Sequence, residues 1–170
     1  MESAFRLFVL LGLSCGLWMG ADAKCDKKGD CCMVCPEGWL ELNSRCFKFI
    51  FNEKDWDDAE DSCIEQGGNL ASIHSDEDYN ALRNLVKTST GIDKQTWVGG
   101  YDAVKEACWR WSDGSSFNFD NWGPKEPNNF GKGEHCLELN FNKKDWGNDW
   151  YCSYKRSYIC GRDKVKANQD

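Results

Sequence analysis

The sequence predicts an α+β fold in which two short helices, small antiparallel sheets and a long irregular loop region are held together by disulfides. Three observations favour it. Strand-like segments occur with two segments of helical periodicity, residues 102–135 are rich in Gly, Asn, Asp and Ser with little periodicity, and the 170 residues include 11 cysteines. The formal net charge of −7 argues against nucleic acid and anionic membranes as partners.

The first 23 residues have the features of a secretory signal peptide. Arg6 precedes an apolar run over residues 7–20, and Ala21-Asp22-Ala23 supplies the small residues of a cleavage site. This run is shorter than the ~18 to 20 apolar residues that a membrane-spanning helix needs. We therefore expect a secreted, extracellular protein that begins at Lys24 and does not insert into a membrane.

Cleavage would remove Cys15 and leave ten cysteines, and an even number in a secreted chain indicates disulfides. Residues 24–34 are polar and cysteine-rich, and we expect them to form an N-terminal extension. Cys32 and Cys35 have C-x-x-C spacing, but the strand and helix of a redox motif and the second pair of a zinc site are missing. Structural cystines are therefore expected.

Strands are predicted in several separate parts of the domain. Residues 39–51 have the aromatic and β-branched pattern of a hairpin. Residues 96–101 are typical of a buried strand, and residues 136–141 alternate between apolar and polar side chains. Regular structure ends with residues 158–162, and we expect a disordered tail over residues 163–170.

Two helices are predicted in the first half of the chain. The first extends from an N-cap at Asn52 to about Gln66 and ends at Gly67-Gly68. The second begins at Ser75, where Asp78 completes a capping box. The apolar residues on one face of this second helix are Tyr79, Leu82, Leu85 and Val86. Both helices would lie beside strands.

The irregular region and the strand after it contain oxygen-bearing side chains suited to a hard cation. These candidate ligands are Glu126, Asn128, Glu134, Asn148 and Asp149. Three carboxylates and two carboxamides suit Ca²⁺ better than zinc or copper. Carboxylates that converge without a cation would repel one another and raise at least one pKa. The alternative is a set of solvated loop residues, since the spacing of an EF-hand is absent.

Several short motifs, taken in order, resemble the C-type lectin domain. They are Trp97-Val98-Gly99-Gly100, Glu126-Pro127-Asn128, Glu134-His135-Cys136, Asn148-Asp149 and the terminal cysteines. Asp149 stands three residues before Cys152, which stands eight before Cys160, as in that family. The resemblance covers residues 35–162 and implies a C-type lectin-like fold with a calcium-binding loop region. The small cysteine-rich chain is most similar to the soluble fish lectins of the ladderlectin type and the fish type II antifreeze proteins.

The resemblance also implies three disulfides. They join Cys35 to Cys46, Cys63 to Cys160, and Cys136 to Cys152. The Cys63 to Cys160 bond would close a loop of about 97 residues, which chain-entropy reasoning makes worth ~4 to 5 kcal/mol. The remaining cysteines of the mature chain are Cys25, Cys31, Cys32 and Cys108. Their three connectivities stay open, as does intermolecular pairing into a disulfide-linked homo-oligomer.

In the family, Glu-Pro-Asn marks a sugar-binding calcium site with a cis bond before the proline. The resemblance implies that the same residues bind both Ca²⁺ and sugar: Glu126, Asn128, Glu134, Asn148 and Asp149. Two vicinal sugar hydroxyls would coordinate the ion, while each donates a hydrogen bond to a carboxylate and accepts one from a carboxamide. Glu126 and Asn128 resemble the pair in members that select mannose, N-acetylglucosamine or fucose. We therefore expect a lectin, not an enzyme, that recognises mannose-type glycans on microbial or cell surfaces in innate defence.

Two departures from the family pattern affect the site. Trp146-Gly147-Asn148-Asp149 replaces the usual Trp-Asn-Asp. Asn129 and His135 occupy positions where an auxiliary calcium site near Asp102 and Glu106 would need acidic ligands, so we expect that site to be missing.

Other functions on the same fold remain as alternatives. The main one is a calcium-dependent type II antifreeze protein, although no threonine lies between Thr96 and Cys136 to form a regular ice-binding array. Recognition of a protein in place of a sugar is a second. A glycosidase built on paired carboxylates is the least favoured.

Overall fold

The computed structural model describes residues 33–167. The predicted signal peptide, residues 24–32 of the predicted extension and residues 168–170 lie outside this range, so those predictions stay untested there. Among the described residues, no helix has both the length and the apolar character needed to cross a membrane.

The described chain contains ten strands, two α-helices and two short 3₁₀ turns. In chain order they are β1 (Met33–Val34), β2 (Leu40–Leu42), β3 (Arg45–Lys54), α1 (Trp56–Glu65), β4 (Asn69–Leu70), α2 (Asp76–Thr90), β5 (Thr96–Tyr101), β6 (Arg110–Trp111), a 3₁₀ turn (Phe130–Lys132), β7 (Cys136–Leu139), a second 3₁₀ turn (Phe141–Lys143), β8 (Gly147–Trp150), β9 (Arg156–Asp163) and β10 (Val165–Lys166). The predicted hairpin and the predicted buried strand are confirmed as β2–β3 and β5.

Eight strands form one sheet, with the order β2-β3-β9-β5-β7-β8; β4 also pairs with β9, and β6 with β5. The pairing is antiparallel except between β5 and β9. Gly99 in β5 allows close packing, because a Cβ there would lie 2.6 Å from the Leu70 carbonyl oxygen. The β7–β8 pair at one end of the order is the part of the sheet that carries the candidate ligands.

The first helix begins later than predicted. Asn52 is not the N-cap, because β3 continues through it to Lys54, which pairs with Arg156 of β9. Asp55 caps the helix instead and accepts a hydrogen bond from the Asp58 amide at 2.9 Å. Long-range strand pairing therefore overrides the local start signal.

The second helix begins where predicted, with Ser75 accepting a hydrogen bond from the Asp78 amide at 3.1 Å. The return contact of the predicted capping box is displaced by one residue, since the Asp78 carboxylate accepts from the His74 amide at 3.1 Å. Tyr79, Leu82 and Val86 are buried, as the predicted apolar face requires.

The predicted disordered tail is wrong for residues 163–167. Asp163 ends β9, and Val165–Lys166 form a strand with Met33–Val34. This pairing also gives regular structure to the last two residues of the predicted extension. The contact joins residues about 130 positions apart, which no local pattern indicates.

Two clusters of buried side chains form the core. One lies around α2 and includes Leu82, Val98 and Leu137; the other lies around α1 and includes Trp56 and Trp97. The three disulfides of the expected pairing are present: Cys35–Cys46, Cys63–Cys160 and Cys136–Cys152. The Cys63 bond fixes α1 to β9, and the Cys136 bond fixes the start of β7 to the segment after β8. The ends of β7 and β8 that face the irregular loop are therefore held firmly.

Candidate functional site

The strand pair β7–β8 and the loop before it position the five candidate ligands. Glu126 and Asn128 lie in the loop, and Glu134 lies two residues before β7. Asn148 and Asp149 lie in β8, where they pair with Glu138 and Leu137 of β7. Hydrogen bonds and charge–charge interactions link four of these residues, namely Glu126, Asn128, Glu134 and Asp149. The fifth, Asn148, hydrogen-bonds to Glu138.

Asp149 organises the loop through backbone contacts. It is only 1% exposed, and its two carboxylate oxygens accept hydrogen bonds from the amides of Asn128 at 3.0 Å and Asn129 at 2.6 Å. Asn129 has a φ of 43°, in the left-handed region that asparagine tolerates better than most residues. The Asp149 carboxylate thus fixes the backbone on which Asn128 is presented.

Glu126 and Asn128 flank Pro127 and interact directly. The Glu126–Pro127 peptide bond is cis, as expected from the family, and the Asn128 side-chain amide donates to the Glu126 carboxylate. Burial raises the pKa of Glu126 from 4.5 to about 7, and the negative charges of Asp149 and Glu134 add to this rise. The predicted repulsion between converging carboxylates is therefore found at Glu126.

Glu134 has one satisfied carboxylate oxygen and one that is not. It is 1% exposed, and Oε2 accepts a hydrogen bond from the Phe130 amide at 2.8 Å. Oε1 is buried and has no hydrogen-bond partner among the described residues. Burial raises the pKa of Glu134; the Phe130 amide opposes the rise, and Asp149 and Glu138 add to it. A buried carboxylate oxygen without a partner is costly unless a cation or a proton satisfies it.

Asn148 is buried and hydrogen-bonds to a residue that the sequence had not singled out. Its side-chain amide donates to Oε1 of Glu138 at 3.2 Å. Glu138 is fully buried and also accepts from Gln95 Nε2 at 2.9 Å and from Arg156 Nε at 2.8 Å. The signal for this network was a lone charged residue in the apolar strand Leu137-Glu138-Leu139, and its partners lie on distant strands and loops.

A second group of polar side chains lies beside the first. His135 Nδ1 lies 2.9 Å from Asp102 Oδ1 and 3.7 Å from Glu106 Oε2. One ligand atom from each of these three residues falls within 4.8 Å of the others. The side-chain amide of Asn129 donates to Glu106, and the amide of Ala107 donates to Asp102 Oδ2 at 2.7 Å. The His135 imidazole and the Asn129 carboxamide thus contact the carboxylates of Asp102 and Glu106.

Aromatic residues shape the edge of the candidate site. The Tyr151 hydroxyl donates to the Phe130 carbonyl at 2.9 Å, while the Phe130 side chain is 72% exposed. A Cβ on Gly131 would lie 2.3 Å from the Tyr151 hydroxyl oxygen, and Gly131 has a φ of +69°, so a larger residue there would be strained and would displace the tyrosine hydroxyl. Sequence analysis did not identify Tyr151 as a support for this loop.

The donor set fits a calcium ion. Burial, with added repulsion from neighbouring carboxylates, raises the pKa of Glu126 and of Glu134, and Glu134 has a buried oxygen without a partner among the described residues. All the atoms that these five side chains can offer to a metal ion are oxygens, which Ca²⁺ prefers. A divalent cation would remove both the repulsion and the unsatisfied acceptor.

Comparison with known proteins identifies relatives over most of the chain. The family model of the lectin C-type domain matches residues 52–162. Galactose-specific lectin nattectin from Thalassophryne nattereri is 41% identical over 163 residues, covering 96% of this chain and 99% of nattectin. Ladderlectin from Oncorhynchus mykiss is 43% identical over 118 residues, covering 69% of this chain and 62% of ladderlectin.

A solved structure with the same fold comes from a protein of a different described activity. The structure of herring type II antifreeze protein superposes with a TM-score of 0.71 and 32% identity, covering 76% of this chain and 98% of the antifreeze chain. The arrangement of helices, sheet and loop region is thus shared between proteins named as lectins and proteins named as antifreeze proteins. Function must be argued from the site.

Proposed function

The chain belongs to the C-type lectin family and has its fold, and from this premise we propose that it is a calcium-dependent sugar-binding protein. The residues proposed to hold Ca²⁺ and sugar are Glu126, Asn128, Glu134, Asn148 and Asp149. The observation that carries the proposal is the buried Oε1 of Glu134, which has no hydrogen-bond partner within residues 33–167 and is close enough to the carboxylates of Glu126 and Asp149 for their charges to interact. This activity is binding, without a chemical step.

Each proposed ligand has a separate role. Asp149 holds the loop backbone and contributes negative charge, and Glu134 offers its free oxygen to the ion. At one sugar hydroxyl, Glu126 would accept a hydrogen bond and Asn128 would donate one. At the other hydroxyl, Glu134 would accept and Asn148 would donate. Bound calcium would supply the positive charge against which the sugar hydroxyls are oriented.

For the sugar we propose a mannose-type ligand: mannose, N-acetylglucosamine or fucose. Support comes from the order of two side chains along the loop: the hydrogen-bond acceptor Glu126 comes before the hydrogen-bond donor Asn128. A galactoside is the second candidate, because nattectin is named as galactose-specific. The ring of Phe130 is exposed, and an aromatic face can pack on the apolar face of a sugar of either class.

Affinity resins test the proposal directly. The protein is applied in calcium to mannose-agarose and, in parallel, to galactose-agarose, and is then eluted with EDTA. We expect retention on mannose-agarose and release by EDTA. Preferential retention on galactose-agarose would keep calcium dependence but replace the sugar class, and retention that ignores EDTA would contradict the calcium site.

Ice binding is the alternative function on this fold, and the structural match to the herring antifreeze protein favours it. Thermal hysteresis measured on the same material separates the two. We expect no hysteresis, because the loop region keeps a full set of sugar-type ligands and lacks threonines between Thr96 and Cys136. Strong hysteresis without retention on either resin would replace the lectin proposal.

We also propose that the protein is secreted and acts on microbial surface glycans in innate defence. The apolar N-terminal run and the three disulfides support secretion.

A single exposed sugar site binds weakly, so several linked sites would be needed for useful avidity. Cys108 is exposed and outside the three described disulfides, which supports a disulfide-linked homo-oligomer. A non-reducing gel of the secreted protein tests this assembly.

A further inference from the structure

We infer that Glu138, which is not among the proposed ligands, is a positioning residue that orients the Asn148 carboxamide toward the calcium ion. The inference rests on the proposed function, since it concerns the same site. It assigns a role to a buried carboxylate that the sugar-binding scheme leaves unexplained.

Glu138 occupies an unusual place for a charged side chain. It lies in the centre of β7 between two buried leucines, is 0% exposed, and pairs directly with Asn148 of β8. A buried carboxylate is unfavourable unless it has a counter-charge and hydrogen-bond donors. Arg156 supplies the charge at 2.8 Å, and Gln95 supplies a donor at 2.9 Å. The third donor is the Asn148 amide at 3.2 Å.

The contact fixes which end of the Asn148 amide is free. A carboxamide carries an NH₂ donor and a carbonyl acceptor, and only the carbonyl oxygen can bind a cation. As a carboxylate paired with Arg156, Glu138 can only accept, so it selects the NH₂ group. The carbonyl oxygen Oδ1 is then left for the ion, whereas a rotated amide would turn its NH₂ group toward the ion.

Glu138 also contributes to the electrostatic potential at the site. Its negative charge is one of the causes that raise the pKa of Glu134, so the two carboxylates influence each other. Hydrogen-bonded neighbours of this kind commonly change metal affinity by about 10- to 100-fold. Glu138 follows Glu134 by four residues, so the orienting group lies in the strand that comes directly after a proposed ligand.

A compensating pair of substitutions tests the inference. In Glu138→Gln, the single carbonyl oxygen cannot serve three donors, and an NH₂ group can face the NH₂ group of Asn148. Calcium affinity should fall by about 10- to 100-fold. Asn148→Asp alone should also bind weakly, because it places a carboxylate against Glu138. In the double variant, the introduced glutamine donates to one oxygen of the introduced aspartate and leaves the other oxygen for the ion, so affinity should recover.

Calcium affinity is measured by calorimetry, and the melting temperature in EDTA reports folding. Gln95→Ala is the comparison variant, because it removes one donor to Glu138 but keeps the carboxylate that accepts from Asn148; it should lose much less calcium affinity than Glu138→Gln. Wild-type affinity in Glu138→Gln, or a double variant no better than Glu138→Gln, would overturn the inference alone. A wild-type protein that binds no calcium would overturn both the inference and the proposed function.

A measurement on the wild-type protein covers the case in which Glu138→Gln does not fold. The side-chain amide of Asn148 is followed by ¹⁵N NMR during hydrogen exchange, with and without calcium. We expect one of its protons to be protected in both conditions, because it is bonded to buried Glu138. Free exchange of both protons would contradict the positioning role.

Discussion

The proposed calcium site, here the primary site, and the group of Asp102, Glu106 and His135, here the auxiliary position, both contain carboxylates from the same loop region. They differ in whether protein groups satisfy the carboxylate oxygens. At the primary site, Glu134 keeps a buried oxygen without a described partner, and Glu126 has a raised pKa. At the auxiliary position, Asp102 faces His135 Nδ1 and accepts from the Ala107 amide. The first group is incomplete without a cation, whereas the second is satisfied by protein groups. The number of carboxylates therefore does not identify a calcium site. What identifies it is a carboxylate oxygen that no protein donor satisfies.

Removing one carboxylate from each group should give the largest contrast. Asp149→Asn should lower calcium affinity by at least about 100-fold and abolish calcium-dependent retention on the sugar resin, because charge and loop support are lost together. The matched variant Glu106→Gln should leave both properties near those of the wild type. Calorimetry and resin retention provide the measurements, and equal losses in the two variants would remove the distinction between the two groups.

Restoring acidic ligands should convert the auxiliary position into a second calcium site. In the variant Asn129→Asp with His135→Asp, four carboxylates would face one another there without imidazole or amide donors. We expect the calorimetric stoichiometry to rise from one calcium ion to two. The side-chain oxygen Oδ1 of Asn129 accepts from the Glu134 backbone amide at 3.1 Å, a contact that the aspartate carboxylate can keep. Two ions bound by the wild type would show that His135 and Asn129 do not close this position.

Calcium binding should weaken as the pH falls below about 7. Burial, with Asp149 and Glu134 nearby, raises the pKa of Glu126 to about 7 in the cation-free protein. The ion must then displace a proton, so apparent affinity should fall by up to about tenfold for each further pH unit. Calcium titrations between about pH 8 and pH 6 measure this slope. Glu126→Gln should bind less tightly at the higher pH and lack this contribution to the slope.

Stability without calcium should change in the opposite direction. The folded-state pKa of Glu126 lies above its ordinary value of 4.5, so the folded cation-free protein binds this proton more tightly than the unfolded chain. The contribution of Glu126 to stability is therefore fully present below the unfolded-state pKa of about 4.5 and is lost as the pH rises through about 7. Melting curves in EDTA should show this difference between the wild type and Glu126→Gln. Parallel curves for the two proteins would contradict the raised pKa.

Loop support should give the smallest effect. Tyr151→Phe removes one hydrogen bond to the Phe130 carbonyl, worth about 0.5 to 1.5 kcal/mol in a protein, and leaves the ring in place. We expect calcium affinity to fall by no more than about tenfold, since the proposed ligands are unchanged. Calcium titration checks this, with melting in EDTA as the fold control. A complete loss of binding would make Tyr151 part of the site itself.

Much of the fold could be predicted because its signals are local. Ser75 and Asp78 mark the start of α2, and the aromatic and β-branched pattern marks the first hairpin. Asn52 was misassigned because β3 continues through pairing with β9, and residues 163–167 were misassigned because β10 pairs with β1. Strand pairing between distant residues is decided by the whole fold, so a local window cannot contain it.

The candidate site shows the same division. Glu126 and Asn128 stand in a recognisable motif, and their contact and the cis bond agree with it. The Asn148 contact with Glu138 depends on the register between β7 and β8, and the Arg156 contact depends on β9. The sequence could therefore suggest the ligands, while the groups that hold the ligands became visible only in three dimensions.

Calorimetric titration of the wild-type protein and Glu134→Gln with calcium tests the central claim most directly. The substitution keeps the size of the side chain but removes the charge behind the unpartnered buried oxygen. We expect the wild type to bind one calcium ion and Glu134→Gln, still folded by its melting curve in EDTA, to bind none in the same range. Equal calcium binding by the two proteins would contradict the claim that these loop carboxylates form the calcium site.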